Sequence, residues 1–274
     1  FACSCPGQAH ERGDVVALDG RGAAEDRQRQ AVPGVALHIE ALGVAVGPHH
    51  RLAVEHDAAD GVGEEALGRG YRDLKVHEAG RDEITAAAKL LRQHNGGALM
   101  VDVNAPWALP EALAAVAPLR ELGLKWIEEP VWPPEDFAVA KQVSATGVPV
   151  AIGENLLTPS DFTRLIEGRF VDFVQPSVAK IGGISITRDL FVAANAANVA
   201  VAPHSAYFGP GLIATTHVSA ALSRAPMIER LYCDLTESPF GDWYEPVDGY
   251  FMLPQGPGLG IEPDPAILNK LRVD

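Results

Sequence analysis

A polar residue closes each of a series of short apolar runs in this chain, and the interval between successive ones is nearly constant. Asp102, Glu128, Glu154, Ser177, His204 and Glu229 stand just past their runs at steps of 26, 26, 23, 27 and 25 residues, and Lys75 and His77 hold the same relation to an earlier run. The runs cover residues 74–76, 99–103, 125–127, 148–152, 170–174, 199–202 and 227–231, are rich in Val and Ile, and alternate with amphipathic stretches. Such alternation predicts βα units around a parallel sheet. Helix starts are visible at Pro110 before Glu111-Ala112-Leu113 and at Pro159-Ser160-Asp161 before Phe162, because proline suits the first helical turn. One functional group per unit, always at the carboxyl end of the strand, is how a (β/α) TIM-type barrel builds a site on one face. An open doubly wound sheet needs only the strands around its switch point, and no glycine-rich nucleotide loop follows the first strand. The expected fold class is therefore α/β, a (β/α) barrel.

The 274 residues suffice for one large domain, and 47% apolar content provides a core. No run approaches the ~18 apolar residues that cross a bilayer. With 36 acidic residues against 22 basic ones, a formal charge of -14 repels nucleic-acid phosphates and anionic lipid surfaces. A small-molecule substrate is expected, with no nucleic acid and no membrane as partner. Three cysteines, Cys3, Cys5 and Cys233, make no disulfide framework and no zinc site. A reducing cytoplasm is the expected location.

Composition changes near residue 70. Residues 1–70 contain no Lys, Asn, Thr, Met, Tyr or Trp, yet carry 11 Gly, six Arg and five of the nine His. Either an out-of-frame reading of a GC-rich gene or an Ala/Gly-rich domain would give that pattern. The expected organisation is an atypical, poorly ordered segment over 1–70 and the barrel with its tail over 71–274. Seven strands leave an open edge between the second and the eighth, exposing backbone groups unless something fills it. Only residues 35–46 upstream have the apolar character for that role, so they are expected to lie against the 74–76 strand as a substitute first strand. Residues 1–30, with few large apolar side chains, are expected to pack loosely.

Asp102, Glu128 and Glu154 occupy equivalent positions on three consecutive strands, so a barrel points their carboxylates at a common volume. Three anions that close would force protonation on one another unless a cation sat between them. An all-oxygen set suits a hard divalent ion, and Mg²⁺ fits because it takes few protein ligands and keeps water or substrate oxygens for the rest.

Asp102-Val103-Asn104, Ile127-Glu128-Glu129-Pro130, Ile152-Gly153-Glu154-Asn155, Lys180-Ile181-Gly182-Gly183, Pro203-His204-Ser205 and Ile228-Glu229-Arg230 resemble the successive strand-end motifs of the enolase superfamily, in its mandelate racemase branch. The tail Gly256-Pro257-Gly258-Leu259-Gly260 is similar to that family's carboxyl-terminal segment. The resemblance implies an enolase-like barrel, Asp102, Glu128 and Glu154 as Mg²⁺ ligands, and removal of the proton α to a carboxylate. It also implies an amino-terminal capping domain and a first barrel strand that residues 1–70 do not resemble, so the chain is expected to be incomplete at its amino terminus. A homo-oligomer is expected of the full-length protein.

Two departures bear on the acid and the base. The branch usually has Lys-x-Lys on its second strand, where this chain reads Lys75-Val76-His77; His77 would then be the base, with Lys75 contributing charge near the substrate carboxylate. The family pairs the histidine corresponding to His204 with an aspartate on the sixth strand, where this chain has Ser177. A hydroxyl fixes a tautomer without stabilising an imidazolium, which suits His204 as general acid. Glu229 matches the carboxyl group that binds the substrate carboxylate, and Asn104 is expected to hold a substrate hydroxyl. The implied activity is Mg²⁺-dependent dehydration of an aldonate or aldarate. Racemisation or epimerisation of a 2-hydroxy acid, or a silent barrel that retains metal binding, are the alternatives.

Overall fold

The computed structural model describes residues 3–4, 31–32, 35–39, 56–223, 227–247 and 250–273. Eight parallel strands form one sheet: β1 (Val35–Ile39), β2 (Asp73–Val76), β3 (Leu99–Asp102), β4 (Trp126–Glu128), β5 (Val150–Ile152), β6 (Phe173–Val174), β7 (Ala200–Val201) and β8 (Ile228–Leu231). Their order is β8-β1-β2-β3-β4-β5-β6-β7, with every neighbouring pair parallel. Each of the seven apolar runs overlaps one of these strands.

The place between β2 and β8 is taken by β1. Leu37 pairs with Leu74 on one side and with Arg230 on the other, as expected of the 35–46 segment. Residues 40–46 of that expectation, and the loose packing expected over 1–30 apart from residues 3–4, lie outside the described residues.

Helices α1 (His56–Gly68), α2 (Arg81–Gln93), α3 (Leu109–Val116), α4 (Phe137–Ser144), α5 (Pro159–Gly168), α6 (Ile184–Ala197) and α7 (Pro210–Leu222) each follow the strand of the same number, and α8 (Pro265–Leu271) lies in the tail. Their starts have local causes. Thr158 Oγ1 accepts the Asp161 amide at 3.3 Å and Pro159 opens α5, while Asp136 Oδ1 accepts the Val139 amide at 3.2 Å and opens α4.

Strand alternation divides the core. Leu99, Val101, Ile127, Val150, Ile152 and Val174 face outward into one cluster with Ile84, Ala88 and Leu91 of α2 and Phe162 and Leu165 of α5. Met100, Trp126, Ala151, Ala202 and Met227 form a second cluster inside the barrel. Ile127 and Phe162 are wholly buried, each such side chain contributing about 1.5–3 kcal/mol. Because Asp102 follows Met100 by two residues, as Glu128 follows Trp126 and Glu229 follows Met227, these acids sit one layer above the inner apolar cluster.

Outside the sheet, Cys3–Ser4 pairs antiparallel with Asp234–Leu235. Cys233 is disulfide-bonded, which departs from the reduced cysteines expected. The antiparallel register sets an amino-terminal cysteine beside that segment. Among the described residues no helix is long and apolar enough to cross a membrane.

Candidate active site

Lys75 of β2 is only 1% exposed, and three carboxylates close around its ammonium. Nζ lies 3.0 Å from Asp102 Oδ2, 2.8 Å from Glu128 Oε1 and 2.6 Å from Glu229 Oε1, which ties β2 to β3, β4 and β8. Burial works against the charged ammonium, but Glu128, Glu229 and Asp102 override it and hold its pKa well above the ordinary lysine value. Burial also opposes the Asp102 carboxylate, yet Lys75 and His77 keep that group well below its usual range. Glu128 goes the other way. Burial and the neighbouring Asp102 push it well above its ordinary value, with Glu229 and Glu154 adding to the effect against the pull of Lys75. One ammonium does not balance the acids gathered here. Lys75 was expected near the substrate carboxylate; the structure seals it beneath the acids as their counter-ion.

His77 and Asn104 meet at the rim. His77 Nε2 is 3.0 Å from Asp102 Oδ2, and the Asn104 side-chain amide lies 3.1 Å from His77 Nδ1. An amide N–H donating to Nδ1 leaves Nε2 as the protonated nitrogen facing Asp102. Asn104 also donates its backbone N–H to Asp102 Oδ1 at 3.0 Å. Its side chain therefore orients His77, whereas a substrate hydroxyl was expected in that place.

His204, just past β7, is 8% exposed, and its Nδ1 stands 3.1 Å from Glu154 Oε2 and 3.2 Å from Glu229 Oε2. The expectation that Ser177 partners His204 is corrected. Ser177 Oγ donates to the Tyr207 hydroxyl at 3.3 Å, and two carboxylates from β5 and β8 stand at Nδ1 instead. The physical reason is charge, since two carboxylates attract an imidazole more strongly than a neutral hydroxyl does.

Local backbone geometry sets these positions. Gly153 adopts φ 148°, and a Cβ there would lie 2.8 Å from the Gln175 backbone, so the close approach of β5 to β6 that presents Glu154 requires glycine. Lys180 Nζ donates to the Glu154 carbonyl at 2.9 Å, which gives it a supporting place. Three partners escaped the sequence reading. Trp126 Nε1 donates to Glu128 Oε2 at 3.1 Å, and the Ser205 amide donates to Glu229 Oε2 at 3.0 Å. Trp126 was in principle visible as the residue two before Glu128 on one strand face. The third, Glu129, gave no such sign, because strand alternation points it away from Glu128.

Glu128, Glu154 and His204 each offer a ligand atom, and these atoms lie within 4.8 Å of one another. Two of the expected metal ligands are in this group. The third, Asp102, is outside it; Lys75 and His77 share its Oδ2 and the Asn104 amide takes its Oδ1. The donor set fits a divalent cation, since buried carboxylates outnumber the ammonium among them and Glu128 in particular lacks full compensation.

The enolase C-terminal domain-like family matches residues 57–267. The chain is 29% identical over 212 residues to the 3,6-anhydro-α-L-galactonate cycloisomerase of Streptomyces coelicolor, covering 76% of this chain and 57% of that one. It is 28% identical over 223 residues to the L-galactonate dehydratase of Hypocrea jecorina, covering 75% and 48% respectively. The chain spans about half the length of the curated relatives it matches. Among solved structures, the L-talarate dehydratase from Polaromonas sp. complexed with Mg and L-glucarate superposes with a TM-score of 0.66 at 25% identity, over 88% of this chain and 64% of that one.

Proposed function

Since this chain belongs to the enolase C-terminal domain-like family, we propose that it carries the barrel of a Mg²⁺-dependent sugar-acid dehydratase acting on an aldonate or aldarate. The observation that carries this reading is the meeting of four buried acids, Asp102, Glu128, Glu154 and Glu229, with His77 and His204 on or just past six strands. Relatives named as sugar-acid dehydratases and cycloisomerases support the same class of chemistry.

Glu128 and Glu154 would hold Mg²⁺, and the preference of a hard ion for oxygen favours Asp102 over His204 Nδ1 as their third partner. When bound, the ion supplies a positive charge that stabilises the enediolate formed from the substrate carboxylate. His77, with Nε2 fixed by Asp102, removes the α proton at Nδ1 once Asn104 gives way to substrate. His204 turns Nδ1 to Glu154 and Glu229, which leaves Nε2 to deliver a proton to the β hydroxyl. That hydroxyl departs as water, and the resulting enol tautomerises to a 2-keto-3-deoxy acid. Glu229, fixed by the Ser205 amide, faces the substrate carboxylate.

Racemisation or epimerisation is the second reading, favoured by histidines on two different strands that could serve opposite faces of the α carbon. Incubation with sugar acids in D₂O separates the two. A dehydratase yields a deuterated keto-deoxy acid, whereas a racemase returns substrate labelled at the α carbon. Recovery of unlabelled, unconverted substrate from the Mg²⁺-loaded chain across an acid-sugar panel would overturn both readings.

A further inference from the structure

Glu129 is the second acid of the Glu-Glu-Pro sequence after β4, and the reaction as derived above gives it no part. It is nonetheless wholly buried, and its backbone has a φ of 42°, in the left-handed region that costs a residue with a Cβ about 1–3 kcal/mol. Such a conformation persists only where the surroundings enforce it. Here the Ala105 amide donates to the Glu129 carbonyl at 2.7 Å, and the Glu129 amide donates to the Ala151 carbonyl at 3.0 Å, so the residue is held from β5 and from the loop after β3. An extended residue after Glu128 would point into the helix layer. The left-handed turn takes Glu129 out of that alternation.

Its carboxylate grips a single neighbour with both oxygens. Glu129 Oε1 accepts the backbone N–H of Asn155 at 3.2 Å, and Oε2 accepts the Asn155 side-chain amide at 2.6 Å. That amide has two N–H groups, and the second goes to Glu154 Oε1 at 3.1 Å. Glu154 Oε2 lies 3.1 Å from His204 Nδ1. Asn155 thus stands between a buried anchor and one oxygen of a carboxylate whose other oxygen faces the site.

We propose that Glu129 and Asn155 form a clamp that orients the Glu154 carboxylate for divalent-cation binding, with Glu129 the anchor and Asn155 the positioning residue. The inference rests on the reading of Glu154 as a metal ligand and goes beyond it by naming what aims that ligand. Asn155 is exposed at the rim. Its loss should therefore leave the fold intact while freeing Glu154 to rotate, and groups that orient a ligand typically change metal affinity 10- to 100-fold.

The test is calorimetric titration of Mg²⁺ into the intact chain, alongside thermal melting without the ion, for the wild type, Asn155→Ala, Glu129→Gln, the double variant and Glu154→Gln. We expect Asn155→Ala to weaken Mg²⁺ binding about 10- to 100-fold with little change in the metal-free melting temperature. Glu129→Gln keeps one acceptor oxygen and should lose less. The double variant should be no worse than Asn155→Ala alone, because the two residues act in series. Wild-type affinity in Asn155→Ala, with binding lost in Glu154→Gln, would overturn the clamp while leaving the metal site standing. A weakened affinity matched by an equal loss of metal-free stability would overturn it in favour of a packing role. Absence of Mg²⁺ binding in the wild type would remove the metal reading and the clamp together.

Discussion

Lys75 Nζ lies 2.8 Å from Glu128 Oε1, and neither side chain is more than 2% exposed. Two further acids share the same ammonium, so a single lysine holds together the ends of β3, β4 and β8. Removing one partner of a buried ionic cluster leaves the others uncompensated.

Lys75→Met should therefore destabilise the metal-free chain by about 3–5 kcal/mol. The measurement is urea unfolding with and without Mg²⁺. Part of the loss should return with the ion, which can take over the acids that the ammonium released. A variant as stable as the wild type without metal would show that Asp102, Glu128 and Glu229 do not depend on Lys75.

Mg²⁺ should raise the melting temperature of the intact chain, because an ion bound only by the folded state stabilises it by about 2.7 kcal/mol at 100 times its Kd. Glu154→Gln should remove most of that rise. A melting curve that does not move with added Mg²⁺ would sink the assignment of Glu128 and Glu154 as ligands.

His204→Asn should lower dehydration by about 10²- to 10⁴-fold, the usual range for a positioned acid or base, while exchange of the α proton with solvent continues. His77→Asn should stop both. Deuterium uptake read by NMR decides the matter: exchange lost in His204→Asn and kept in His77→Asn would reverse the two roles.

Burial pushes the Tyr71 hydroxyl up from the ordinary 10.0 to about 12, and its oxygen has no hydrogen-bond partner among the described residues. In that window the unfolded chain gives up this proton while the folded chain keeps it, so stability falls as pH rises above the unfolded value. Tyr71→Phe should flatten the decline between about pH 10 and about pH 12. At neutral pH it should be neutral or stabilising by up to about 1 kcal/mol, since an unpartnered buried hydroxyl is removed. Chemical denaturation across that range measures both effects. A steeper alkaline decline in Tyr71→Phe would overturn the assignment.

The barrel and the membership of its site were legible in the sequence because both follow from local periodicity. A strand alternates every residue and a βα unit repeats at a nearly constant length, so Asp102, Glu128, Glu154, His204 and Glu229 could be placed at strand ends by counting. The segment 35–46, within which the strand at residues 35–39 lies, was found by elimination, since a seven-stranded sheet leaves an edge that some apolar segment must cover.

Counting could not assign partners. Ser177 was matched to His204 by position on the neighbouring strand, yet in the structure Glu154 and Glu229 stand at that nitrogen and Ser177 turns to Tyr207. Lys75, read as a group for the substrate, is buried among Asp102, Glu128 and Glu229, and the cluster that Glu128 and Glu154 make brings in His204, which was not read as a ligand. The sequence by itself determined the order of the units and the kinds of group at their ends. Only the tertiary structure decided which group meets which, because a charged side chain goes to whichever opposite charge or donor lies within about 3 Å, and distances on that scale depend on how strands distant in sequence pack around one axis.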